Sequence, residues 1–396
     1  MLWQHYVFRR GNDVEDLWEG LYSDRKVRLV YIAGRGFDVR AQTTLKRFVK
    51  GISGPSFDIE KATMLLVKLP DYQLSPELKQ QTEVNAEIFE REFSTIGRTS
   101  TVIPNVSSDD EEDISASNAL QLVVEGVLEK LTNETDIILD ISSLPRMVFL
   151  SLITGILTKI VPDKNAKHAL WANGVNFQIL AAEDPKLDAQ IKSEDPSNDL
   201  VTIPGFSSAL HAETVQDWPL VWFPILGEGK VGQLLKVATS IDRSAEVCPV
   251  LPHPSRYPRR ADQLVLEYKE SLFDAWRTPV GNILYAHEAN PFEAYRQLFN
   301  AMTRYKESME IMGGSRLVVT PLGSKLITVA AGLACYAMRP DDQYANYSVG
   351  MPYAEGTRYL ADLEDLSSSR PSVCALLLTG EAYGPAEVQA PEFASV

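Results

Sequence analysis

Gly323-Ser324-Lys325 and Ser142-Ser143-Leu144-Pro145-Arg146 each place small or hydroxylic residues just before a cation. Such a loop can hold an anion. Glycine lets a ligand approach the backbone, serine can donate to an oxygen or cap a helix, and the cation reinforces a helix dipole that already favours negative charge. Each loop follows a buried-strand pattern, Asp136 to Ile141 in the first half and Arg316 to Thr320 in the second. Each precedes an apolar stretch of helix length, Met147 to Ile160 and Leu326 to Met338. In open α/β sheets ligands bind outside the carboxyl ends of the strands, where helix N-termini present free amides. The echo predicts a two-halved ligand binder. Its competing reading is a pair of structural N-caps, which would use the glycine and serines equally well.

Other loops add candidates. Gly34-Arg35-Gly36-Phe37-Asp38 follows the strand pattern Val27 to Ala33, where a dinucleotide-binding fold puts its phosphate turn. The third glycine of that fingerprint is replaced by Val39, so Arg35, Asp38 and Arg40 are the candidates for ligand contact there, against a plain turn with an Arg–Asp pair. Gly227-Glu228-Gly229-Lys230-Val231-Gly232 has the literal glycine spacing, and Lys230 could offset the acidic Glu228 beside a phosphate. The stretch from Pro252 to Arg260 holds Arg256, Arg259 and Arg260 and suits an anion or nucleotide, unless these arginines pair with Asp262 and Glu267. His253, His287 and Glu288 follow strand patterns and could form an acid/base pair; alternatively His287 to Asn290 is a polar turn with Asn290 as helix cap or ligand contact. No G-x-S-x-G elbow and no phosphate loop ending in Gly-Lys-Ser/Thr is present, so no catalytic residue is assigned.

The elements that would carry these loops alternate. The patterns predict strands at Val27–Ala33, Thr63–Leu69, Thr101–Ile103 and Ile137–Ile141, with helices between them. One of those helices runs from Pro76 to Phe93 behind a Ser75 cap. His168 to Ala172 and Asn176 to Ala181 read as a hairpin through Asn173-Gly174. The second half repeats the alternation: strands at Leu220–Leu226, Glu246–Leu251, Asn282–Ala286 and Arg316–Thr320, and helices at Ala261–Trp276 and from Asn290-Pro291 to Tyr305. The expected fold class is α/β, two tandem Rossmann-like domains with mostly parallel sheets. The domains are placed at residues 1–184 and 212–379, joined by a proline-broken linker at 185–211 and followed by a flexible tail at 380–396.

Composition narrows the function classes. At 396 residues with 45% hydrophobic and 23% charged residues, the chain has the balance of a soluble globular protein. No apolar run approaches a membrane span, and residues 1–12 lack the apolar core of a secretory signal. Three scattered cysteines argue for a reducing compartment, so a cytoplasmic location is expected; the five histidines form no metal-ligand spacing. A formal net charge of −15 disfavours duplex nucleic acid as the principal partner while leaving room for a local basic site. The acidic run from Ser107 to Asp113 reads as a solvated loop. No cofactor and no metal are expected.

Asp140-Ile141-Ser142-Ser143-Leu144-Pro145-Arg146 resembles the Asp-x-Thr-Gly-Gly-x-Lys loop of CRISPR-associated Rossmann-fold (CARF) nucleotide-sensing domains, with Asp140, Ser142 and Arg146 at matching positions. Thr320 to Lys325 resembles the later part of that loop through Gly323 and Lys325. Ser143-Leu144 stands where that family has a glycine pair. The resemblance implies a sensor or adapter in antiviral defence that binds a nucleotide or oligonucleotide second messenger in a symmetric cleft and passes its state to a protein partner. An α/β enzyme acting on a nucleotide and a non-catalytic scaffold subunit are the alternatives.

Overall fold

The computed structural model describes residues 1–68, 73–103, 116–196, 200–342 and 344–385. The chain divides into two compact units, Met1–Lys192 with the chain from Arg358 onward, and Ser193–Thr357. Each is built on its own mostly or wholly parallel α/β sheet, the arrangement expected from the alternation of strand and helix patterns.

The first unit holds a seven-stranded sheet. Its order is Val7–Arg10, Ser372–Thr379, Asn176–Glu183, Asp136–Asp140, Lys26–Gly34, Asp58–Val67 and Arg98–Val102. The last five of these are mutually parallel and, numbered along the chain, lie in the order 5-4-1-2-3. Their order reverses between Lys26–Gly34 and Asp136–Asp140, which is the topological switch point of a doubly wound sheet. Asp136–Asp140 is buried along its whole length, as a parallel strand covered on both faces must be. On one face Phe48 packs edge-on against Trp18 with ring centroids 5.1 Å apart, and lies 5.4 Å from Tyr31.

The second unit repeats the plan. Leu284–Ala286, Val250–Pro252, Leu220–Ile225, Ser315–Pro321 and Tyr347–Gly350 are parallel neighbours in that order, again 3-2-1-4-5 along the chain. The switch point falls between Leu220–Ile225 and Ser315–Pro321, both buried throughout. The two echoing loops of the sequence therefore follow the same strand, the fourth, in each unit. The helices they open, Arg146–Ile160 and Lys325–Met338, are apolar on nearly all sides and buried. Both begin on the basic residue.

Several sequence expectations are revised. Ser372–Thr379 belongs to the first unit, pairing antiparallel with Asn176–Glu183 and with Val7–Arg10, so that unit does not end near residue 184. Within the segment 185–211 the described residues form elements as well. Asp184 caps Pro185–Gln190, accepting from the amides of Lys186 and Leu187 at 3.1 and 3.4 Å, and Leu187 packs with Leu78 and Leu366. Val201–Thr202 pairs with Pro352–Tyr353. The hairpin through Asn173-Gly174 is absent: Ala169–Gly174 is a 3-10 turn, and Asn176–Glu183 finds its partners elsewhere in the sheet. The helix from Ala261 is shorter, Arg260–Glu267, and continues as a π-turn over Glu270–Ala275. Of the expected flexible tail, residues 380–385 are described and packed, with Tyr383 donating to the Leu377 carbonyl at 2.6 Å; the rest, like the acidic loop at 107–113, lies outside the described residues. Among the described residues no helix is long and apolar enough to cross a membrane.

Candidate functional site

In the first unit the loops after strands one and four meet. The Ser143 hydroxyl donates to the Gly34 carbonyl at 2.8 Å. A Cβ on Gly34 would lie 2.8 Å from the Leu144 side chain, and one on Gly36 would lie 3.1 Å from the Ser143 carbonyl oxygen. Glycine suits both positions because the two loops run in close contact, with little room for a side chain between them. The Gly36 carbonyl accepts from Asn85 Nδ2 at 2.8 Å, fixing the loop to the Pro76–Phe93 helix.

The polar residues of these loops have distinct tasks. Asp140 is buried at the end of the fourth strand, and its carboxylate accepts from Tyr31 Oη at 2.8 Å and the Ser142 amide at 2.9 Å. Burial, and then the Asp140 charge, push the Tyr31 phenol well above its ordinary pKa, so it remains a donor. Ser142 is buried: its hydroxyl accepts from the Ala182 amide at 2.9 Å and lies 3.2 Å from that of Thr44. Ser142 thus ties the switch loop to the neighbouring strand and helix. Asp38 forms a buried two-pronged pair with Arg40, with contacts of 2.7 and 3.0 Å, and Arg40 also reaches Asp188 at 2.6 Å. Desolvation would lower the Arg40 pKa, but the two carboxylates outweigh it and the guanidinium is held charged. Arg35 pairs with Glu83. Arg146 is half-buried at the first position of its helix, beside the loop contact.

The second unit has the same construction. The loop after Leu220–Ile225 contains Gly227, whose Cβ would overlap the Leu322 carbonyl oxygen and lie 3.3 Å from Gly323 Cα. Trp222 Nε1 donates to Thr320 Oγ1 at 2.9 Å. By register, Tyr31 lies opposite Ile138 and Trp222 opposite Val318, so each ring reaches two residues further along the fourth strand. The Tyr31–Asp140 and Trp222–Thr320 bonds are therefore equivalent, and nothing in the local sequence announces either. Gly323, Ser324 and Lys325 form the turn into the helix. Ser324 occupies the N-cap with cap-like backbone angles (φ −62°, ψ 163°) but makes no capping bond. Its hydroxyl is buried and has no hydrogen-bond partner among the described residues, as does that of Thr328 one turn further on.

The G-x-G-x-x-G loop lies where the fingerprint requires, after the first strand, yet two of its backbone groups are committed. The Gly229 amide donates to Glu267 at 2.8 Å, and the Gly227 carbonyl accepts from Tyr268 Oη at 2.6 Å. Burial, together with the nearby Glu228, raises the Glu267 pKa despite that amide. Glu228 is neutralised by Arg260, at 2.6 and 2.7 Å. Burial opposes ionisation of Glu228, but the Arg260 contacts prevail and lower its pKa. Lys230 holds the N-cap position of Val231–Ala238.

Arg260 also pairs with Glu288, so one guanidinium links the loops after strands one, two and three. Its partners are not the expected Asp262 and Glu267. Arg256 and Arg259 are exposed and form no ion pair among the described residues. Asn290 caps Pro291–Met309, accepting from the amides of Phe292 and Glu293 at 3.1 and 3.3 Å. His287 Nδ1 accepts from the amides of Ala289 and Asn290, while the His253 ring stands against Tyr285. His253, His287 and Glu288 therefore have three separate partners and form no acid/base pair.

The candidate residues sort into two groups. Arg35, Ser142 and Arg146 lie on the abutting loops of the first unit; Lys230, Gly323, Ser324 and Lys325 lie on those of the second. Asp38, Asn290 and Ser142 are engaged in structural bonds, and Arg256 lies on a different loop. The loop chemistry offers donors and cations suited to an anion. Burial pushes the Cys248 thiol up to about 11 and raises that of Cys335, which makes both poor nucleophiles. Among the described residues no cluster of three or more His, Cys, Asp or Glu could hold a metal ion. No protein-family model matches the chain, and no curated protein matches it.

Proposed function

We propose that the chain is a nucleotide-binding sensor or adapter in which the switch-point loops receive the phosphates of a nucleotide or oligonucleotide messenger. The observation that carries this reading is the Ser324 hydroxyl, buried at a helix N-terminus with no hydrogen-bond partner among the described residues, between Gly323 and Lys325. A purely structural N-cap serine would accept from the amides of its own first turn. This one does not, although Ser75 accepts from Leu78 at 3.3 Å and Asn290 caps fully. A phosphate oxygen at the turn would satisfy the hydroxyl and would lie at the positive end of the helix dipole, beside the Lys325 cation. The equivalent loop of the first unit opens its helix on Arg146, consistent with an internal repeat of one anion-binding plan. The CARF resemblance supports a messenger as the ligand and a protein partner as the reader of the bound state.

Calorimetric titration with ATP, NAD, cyclic dinucleotides and linear and cyclic oligoadenylates tests this, followed by chromatography of the recovered ligand. The expected result is binding of one class, recovered intact. Conversion of the ligand would replace the sensor with an enzyme, and failure of every class to bind would refute the reading.

A further inference from the structure

We propose that the second unit carries a separate face for single-stranded nucleic acid, formed by His253, Arg256, Tyr257, Arg259 and Tyr285. It goes beyond the messenger reading and does not depend on it. These residues lie on the loop after Val250–Pro252, the strand next to Leu220–Ile225 of the switch-point pair, and on the edge strand Leu284–Ala286 beyond it.

Three observations support the proposal. The first is aromatic exposure: Tyr285 is 50% and Tyr257 49% exposed, and the exposed His253 ring stands 5.6 Å from that of Tyr285. The second is charge separation within one turn. Arg260 absorbs Glu228 and Glu288, whereas Arg256 and Arg259 face outward with no carboxylate partner among the described residues. In a chain of net charge −15 this leaves a local basic surface. The third is a fixed base. The His253 amide donates to the Ala286 carbonyl at 2.8 Å, the Glu288 amide to that of Pro254 at 3.1 Å, and the Arg260–Glu288 pair joins the same two loops.

Exposed rings beside unpaired arginines match what a single strand offers, unstacked bases and a phosphate backbone. A duplex hides its base faces, so it would use only the arginines. An acidic protein surface would likewise use the arginines and have little need of the rings.

Fluorescence anisotropy with the full chain tests this, using fluorescein-labelled 12-nucleotide single strands of RNA and DNA, a blunt duplex and labelled polyglutamate as probes, in low and moderate salt. The expected result is single-strand binding that exceeds binding of the other two probes. Arg256→Ala with Arg259→Ala should weaken it at least tenfold and flatten its salt dependence, by a log–log slope of about 1.4 for two phosphates. Tyr257→Ala and Tyr285→Ala should each weaken it by roughly 5- to 100-fold, as lost base stacking does. All four side chains are exposed, and far-ultraviolet circular dichroism checks that the variants fold. No single-strand binding at low salt, or equal binding of polyglutamate with the tyrosine variants unchanged, would overturn the proposal.

Discussion

Gly227→Ala should destabilise the second unit by an amount set by the close approach of its two switch loops. The new Cβ would overlap the Leu322 carbonyl oxygen, with the carbonyl carbon at 3.0 Å and Gly323 Cα at 3.3 Å. All three neighbours are backbone, so none can rotate away, and relief requires one loop to move. Overpacking of this kind costs about 1–3 kcal/mol. Moving the Gly227 loop also disturbs the 2.6 Å bond from Tyr268, worth about 1 kcal/mol net. The expected loss is roughly 2–4 kcal/mol, which at about 2–4 °C per kcal/mol gives a fall of roughly 5–15 °C in the melting temperature of that unit. Gly281→Ala is the control: nothing lies within 4 Å of its Cβ, so its effect should stay within about 0.5 kcal/mol. Differential scanning calorimetry of wild type and both variants reads the difference. If Gly227→Ala melts with Gly281→Ala, the loops do not approach as described and the switch-point geometry is wrong.

In the first unit, Ser142→Ala leaves the buried Ala182 amide without its acceptor and should cost about 1–3 kcal/mol in denaturant unfolding; an unchanged midpoint would contradict the tie it makes. Arg260→Ala strips the cation from Glu228 and from the nearly buried Glu288, for an expected loss of about 3–5 kcal/mol. Because Arg260 holds the Glu228 pKa below its unfolded value, the part of that contribution due to Glu228 is present above the unfolded pKa, about 4.3, and is lost as pH falls through the folded one. Unfolding free energies across the acid range should thus lose less with falling pH in Arg260→Ala than in wild type, and parallel curves would refute the assignment. At about pH 8 the native protein should resist iodoacetamide at Cys248, Cys335 and Cys374, all buried, whereas the unfolded chain takes up three adducts; rapid native labelling seen by mass spectrometry would show them to be accessible.

The repeat of strand, small-residue loop and helix was legible because each part has a local cause. Buried parallel strands read as continuous apolar runs, and the helix starts carry their own signals in Ser75-Pro76 and Asn290-Pro291. That the two echoing loops follow the fourth strand of equivalent sheets needed the strand order, which no local pattern encodes. The return of Ser372–Thr379 to the first sheet was hidden for the same reason, since its neighbours Asn176–Glu183 and Val7–Arg10 lie far away in sequence. The false hairpin shows the converse: Asn173 does adopt a positive φ, but Asn176–Glu183 gains more by joining the central sheet. In the candidate site, Gly323-Ser324-Lys325 stood out by type and spacing. Arg260 was seen as a cation, but its partners Glu228 and Glu288 are brought to it by the fold. Gly229 has the right spacing for a phosphate, and only the structure reveals that Glu267 takes its amide.

The most direct test is thermal unfolding of the purified chain against the nucleotide panel, with Arg146→Ala and Lys325→Ala beside wild type. A ligand at about 100 times its dissociation constant stabilises by roughly 2.7 kcal/mol, a rise of roughly 5–10 °C. The account predicts that one nucleotide class raises the wild-type melting temperature and that Lys325→Ala loses most of the rise in the second unit's transition, with Arg146→Ala doing the same in the first. A rise that is identical in all three proteins, or none with any nucleotide, would contradict the assignment of the switch-point loops as the binding site.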